Sequence, residues 1–318
     1  MERVSKNYYY IIRGRIQASS YVRCVGCLNN HIRPSYLSGK KIGKIRPDEL
    51  QILINNLAES GLALSSVKKV YNILGEFFRY EAALGDIARN PMLLVKLPKA
   101  INCKPVKEMS VLTAEEVKKV ISVAEETIEG EPTYRYGEAI ILLLLTGIRA
   151  GELRGIRPED IDWQNKILHI NRGICIAPKE EGGIEYFAGK GKTKNALRDV
   201  PLCERAMLSL ERLKQTTYVP ESGYLICGMK TGEPVDYNGL QKCYDMILKA
   251  SGIKHMGLHS TRHTFATLML KDAKEKGMIK EVSELLGHSE VSTTYKYYIK
   301  TSNEDKRSMI TGLEEVLI

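Results

Sequence analysis

The chain has 318 residues, 43% of them hydrophobic, enough apolar material to fill one large core or two of ordinary size. Its longest apolar block, Ala139 to Leu145, is far too short to span a bilayer, and the N-terminus lacks a charged-then-apolar signal pattern, so a cytosolic globular protein is expected. The net charge of +9 is uneven: residues 1–100 hold 16 Lys and Arg against 7 Asp and Glu, while residues 101–318 hold 31 of each.

Ten of the basic residues fall between Arg3 and Arg46, a block that suits a polyanion such as a phosphate backbone, or a solvated basic face with no partner. The seven cysteines, at 24, 27, 103, 175, 203, 227 and 243, are scattered and odd in number, which points to reduced thiols. Cys24 and Cys27 form a C-x-x-C, but with no second such pair nearby it is a poor metal or redox signal. Farther on, Pro47-Asp48-Glu49 opens a helical pattern carried by Leu50, Leu53, Ile54 and Leu57 and ended near Gly61. A second begins with Ser65 as N-cap, runs through Val67, Val70, Leu74, Phe77 and Phe78, and closes at Gly85. The short loop makes the two antiparallel neighbours. Asn90-Pro91 breaks the pattern, and Leu97 to Lys107, with two prolines and several lysines, reads as an exposed linker. The domain division expected is 1–97, a linker over 98–110, and 111–318.

Thr113 and Glu116 form a capping box that starts a helix through Val117, Val120, Ile121 and Ala124. The block Ala139 to Leu145 is apolar all round, so it predicts a buried helix, stopped by Gly147. Residues 166–176 and 185–202 are rich in β-branched and aromatic side chains with Gly-rich breaks, and predict a small antiparallel sheet. From Tyr237 onward the periodicity is helical, so the second domain is helical with a three-stranded insertion.

Groups suited to phosphate chemistry are spread along this second part. Arg149 sits among small residues in Thr146-Gly147-Ile148-Arg149-Ala150-Gly151-Glu152-Leu153, as a fork for two phosphate oxygens or as a buried salt bridge to Glu152. His259 and Arg262, three apart, share a helix face. His255 and His263 read as ordinary surface or core histidines. Leu285-Leu286-Gly287-His288 ends a helix, and nine residues after His288 comes Tyr297, one of 17 tyrosines that nothing intrinsic singles out.

Together these boxes, in this order and spacing, resemble the signature of the tyrosine recombinase (phage integrase) family. The stretch from Asn29 through Pro91 is similar to that family's helical core-binding domain. The resemblance implies a mainly α protein with a small antiparallel β-sheet, in which a core-binding domain precedes a catalytic domain with a C-terminal tail. It implies that Arg149 and Arg262 clamp the scissile phosphate, that His259 and His288 hydrogen-bond its oxygens, and that Tyr297 attacks. A hairpin lysine would serve as general acid: Lys192 in the Lys-Thr step of Gly189-Lys190-Gly191-Lys192-Thr193-Lys194, with Lys190 and Lys194 as alternatives. Glu152 matches a common acidic position and reads as structural. The partners implied are double-stranded DNA and three further copies in a homotetramer, with a DNA-bending or directionality protein as a possible accessory. The setting implied is the nucleoid of a bacterial or phage-infected cytoplasm.

The chemistry fits these residue types. Attack of a phenol on a phosphodiester builds negative charge on the phosphoryl oxygens, which fixed guanidiniums and imidazoles can stabilise without a metal or other cofactor. The leaving 5′-alkoxide needs an acid, and the resulting 3′-phosphotyrosine keeps a phosphoester that a second 5′-hydroxyl can attack in reverse, without ATP. Alternatives within the same chemistry are a chromosome-dimer resolvase and a type IB topoisomerase. Outside it stands an inactive DNA-binding protein. The chain starts almost directly with the part similar to the core-binding domain, either because this member lacks the arm-site-binding domain that many of the family carry or because the sequence is trimmed, so arm-type DNA binding is not part of the expectation. Met309, Ile310, Leu313, Val316 and Leu317 form an apolar stripe for the tail to dock in cis or on a neighbour.

Overall fold

The computed structural model describes residues 16–104, 110–178, 184–189, 197–228, 231–275 and 278–287. The chain divides into two compact units, one of residues 1–108 with 176–187 and one of 109–175 with 188–318.

In the first unit, α1 (Ala18–Cys27) runs on as a wider helical turn over Leu28–Ile32. Helix α2 (Pro47–Glu59) has the expected proline in its first turn, and Gly61 turns the chain at φ +84°. Helix α3 spans Leu64–Ala83, so Ser65 is not its N-cap; Ala63 is, without a side-chain cap. Ala63 is held extended by a bridge to Lys104, whose amide donates to the Leu62 carbonyl, and this fixes where the helix starts. Leu50, Ile54, Val67, Val70, Leu74, Phe77 and Phe78 fill the core. The stretch expected as exposed linker is partly built into that core: Cys103 is buried there and Leu97 packs against it. All seven cysteines are free thiols.

The second unit opens with α4 (Ala114–Ala124), capped as the sequence suggests, Thr113 Oγ1 accepting from the Glu116 amide at 3.2 Å and Glu116 accepting from the Thr113 amide at 2.8 Å. A short hairpin, β1 (Thr127–Ile128) with β2 (Glu131–Pro132), leads to α5 (Gly137–Thr146), which is buried along almost its whole length. A brief helix, α6 (Ala150–Arg154), follows. The expected sheet is split in two. One is antiparallel, with β3 (Ile161–Asp162), β4 (Ile167–Ile170) and β7 (Arg198–Pro201) in the order β3-β4-β7. The other pairs β5 (Gly173–Pro178) with β6 (Ile184–Gly189), of which residues 176–178 and 184–187 are grouped with the first unit. The unit closes with α7 (Glu204–Thr216), α8 (Tyr237–Ala250), α9 (His259–Glu275) and α10 (Ile279–Leu286). Its core is centred on α5, against which α4, α7, α8 and α9 pack. No helix among the described residues is long and apolar enough to cross a membrane.

Candidate active site

Helix α5 must stop abruptly for Arg149 to leave it, and Gly147 does this in the left-handed conformation at φ +63°. A Cβ at Gly147 would lie 2.3 Å from Cδ1 of Phe265, so both backbone and space demand glycine there. Ile148 is buried, and Arg149 then becomes the N-cap of α6 with extended backbone. Its amide donates to Glu152 Oε2 at 2.8 Å and its Nη1 donates to Glu152 Oε1 at 2.7 Å. The two readings of this segment are therefore compatible: Arg149 is paired with Glu152, yet its side chain stays 39% exposed.

Arg262 lies one turn into α9 and is 2% exposed. The way into that helix is pinned from α8, where Gln241 accepts from the Leu258 amide at 2.8 Å and donates to the Met256 carbonyl at 3.0 Å. Nη1 of Arg262 donates to the Gly147 carbonyl at 2.8 Å, and Nη2 donates to the Leu286 carbonyl. Arg149 reaches the same place, its Nη2 donating to the Gly287 carbonyl at 3.2 Å. The C-terminal carbonyls of a helix lack partners within it and form the negative end of its dipole, so guanidiniums are their natural caps. Two arginines far apart in sequence thus converge on the end of α10, where Gly287 turns the chain at φ +64°.

His259 opens α9 and keeps an exposed surface. Desolvation of its ring, then the positive charges of Arg262 and Arg149, hold its imidazole below the usual range, so it is neutral at pH 7. His263 packs edge-on against it with ring centroids 4.4 Å apart. Burial, then His259 and Arg262, push His263 down to about 4. His255 is exposed and pairs with Asp245 at 2.7 Å.

Of the residues the sequence points to, Arg149, His259 and Arg262 are brought together. Lys192, its alternatives Lys190 and Lys194, His288, Tyr297 and the tail stripe lie outside the described residues. One neighbour went unnoticed. Arg198 joins Glu152 through Nη1 at 3.1 Å and Nη2 at 3.0 Å, and its Nε donates to the Leu285 carbonyl at 2.7 Å. The signal for it was strand alternation, since Arg198 shares an inward face with the buried Val200 and Leu202. Burial is the largest influence on Glu152 and pushes its carboxyl up, but Arg198, Arg149 and the Arg149 amide outweigh it and hold Glu152 below the carboxylate range. Three guanidiniums against one carboxylate leave a surplus of positive charge, a setting for an anion.

The model of the phage integrase family matches residues 110–304. The chain belongs to that family. Among proteins similar to it is a tyrosine recombinase XerC-like protein of Caldanaerobacter subterraneus subsp. tengcongensis, 30% identical over 98% of this chain and 81% of the relative. The transposase from transposon Tn916 of Enterococcus faecalis is 27% identical over 84% of this chain, which spans 66% of that protein's length. Among solved structures, the Tn1549 transposon integrase in complex with a circular intermediate DNA has a TM-score of 0.74 at 20% identity, covering 98% of this chain and 99% of that one. The chain therefore shares the tyrosine recombinase fold, and it is an enzyme of site-specific DNA recombination.

Proposed function

We propose that this integrase cuts and rejoins DNA strands at a specific site of a mobile element, through a 3′-phosphotyrosine intermediate formed on Tyr297. The observation that carries the reading is the convergence of Arg149 and Arg262, with His259 beside them, on the end of α10. In sequence, His288 follows that helix end directly and Tyr297 comes nine residues later. Arg149 and Arg262 would hold the two non-bridging oxygens of the scissile phosphate, with His259 and His288 completing the cradle as charge develops. The phenol of Tyr297, with an unperturbed pKa of about 10, would lose its proton as it attacks. Lys192, or Lys190 or Lys194 beside it, would protonate the departing 5′-oxygen. A second 5′-hydroxyl then attacks the phosphotyrosine, which restores the phosphodiester and releases the tyrosine.

The transposon origin of two relatives supports the mobile-element reading. The basic first hundred residues support a core-binding role on double-stranded DNA, mainly through phosphates. Exchange between two duplexes takes four cleavages, so the working form would be a homotetramer on DNA, with bending or directionality proteins as accessories. Incubation with a duplex nicked beside the cleavage site, which lets the short 5′-hydroxyl strand diffuse away, should trap a covalent complex that survives denaturation. Tyr297→Phe should abolish it; an adduct of undiminished yield would remove Tyr297 as nucleophile.

A further inference from the structure

We infer that Arg198 is a positioning residue that keeps Arg149 electrically available to a phosphate, acting through Glu152 and the end of α10. The inference rests on the recombinase reading above. Arg198 begins β7 opposite Ile170, in the interior, and its side chain is 7% exposed. Both oxygens of the equally buried Glu152 are shared: Oε1 accepts from Arg149 at 2.7 Å and Arg198 at 3.1 Å, and Oε2 accepts from the Arg149 amide at 2.8 Å and Arg198 at 3.0 Å.

The sharing has an electrostatic consequence. Facing Arg149 alone, Glu152 would cancel its charge, and a phosphate would have to compete with an ion pair in a poorly hydrated site. With Arg198 on the same carboxylate, the trio carries a net charge of about +1. Arg149 is the one member open to solvent, at 39% against 7% and 9% for the others. Glu152 therefore orients the Arg149 fork without neutralising it. A second link runs through the backbone. The consecutive carbonyls of Leu285, Leu286 and Gly287 accept from Arg198, Arg262 and Arg149 respectively. Arg198 thereby ties the strand to the helix end that precedes His288 in sequence.

A purely structural ion pair would change stability and little else, whereas a shared carboxylate makes the chemistry depend on the charge of Glu152. The test uses single-turnover formation of the covalent complex on a nicked duplex, its sequence taken from DNA recovered covalently bound to the wild-type protein. Melting temperature and affinity for the duplex are measured alongside. Arg198→Met should slow adduct formation about 10- to 100-fold, with duplex affinity little changed. Adding Glu152→Gln should recover several-fold of that loss, because the amide oxygen still accepts from Arg149 but carries no charge against it. Arg198→Lys keeps the charge but cannot span both carboxylate oxygens and the Leu285 carbonyl, and should fall in between. A folded Arg198→Met as fast as wild type, or one that Glu152→Gln slows further, overturns the inference. If Arg198→Met does not fold, Arg198→Lys at the wild-type rate overturns it equally. A wild-type protein that forms no adduct on any DNA overturns the recombinase reading itself, so the two failures are distinct.

Discussion

His263 is 8% exposed and lies edge-on to His259, with Arg262 one residue away in sequence. Burial first, then His259 and Arg262, hold it at about 4, whereas an imidazole in the unfolded chain titrates near about 6.5. Above pH 6.5 neither state takes up this proton, and His263 has no effect on stability. As the pH falls through 6.5 the unfolded chain gains a proton that the fold refuses, so stability declines until about pH 4 and then levels. Replacing His263 with Leu should flatten the drop in melting temperature between those limits; an unchanged slope would place the sensitivity elsewhere. His263 was legible only as an ordinary surface or core histidine, whereas Arg149, His259 and Arg262 were legible because each sits in a distinctive box. Arg198 was not, since the Lys-rich turn before it draws attention to lysines, and its partner Glu152 is distant in sequence.

Helix ends were legible wherever one residue type answers a local need. Thr113 with Glu116 starts α4, Gly147 stops α5, and Gly287 stops α10. The start of α3 was not, because it is set by the pairing of Ala63 with Lys104, a contact with no local signature. The sheet was divided differently for the same reason: which strands pair is a long-range matter. The helix stops also separate stability from activity. Gly61 and Gly287 both sit at positive φ, +84° and +64°, so alanine at either should cost about 1 kcal/mol. Only Gly287 offers its carbonyl to Arg149. Gly287→Ala should therefore lower the melting temperature and slow covalent-complex formation, while Gly61→Ala should lower only the former. Equal rates for the two variants would separate the end of α10 from the chemistry.

At the scale of the whole chain, the family match covers residues 110–304, most of which belong to the second compact unit. The first unit carries its own core of Leu, Val and Phe side chains, and residues 1–100 hold the chain's entire excess of positive charge. The division of labour proposed from this is a basic unit that holds the duplex and a nearly neutral unit that works on one phosphate. Everything in it depends on a phenol taking that phosphate. The most direct measurement is to digest the trapped protein–DNA complex with protease and nuclease and identify, by mass spectrometry, the peptide that keeps a nucleotide. The expected peptide contains Tyr297 linked to a 3′-phosphate; a 5′-linkage, or a nucleotide on any other residue, would contradict the mechanism.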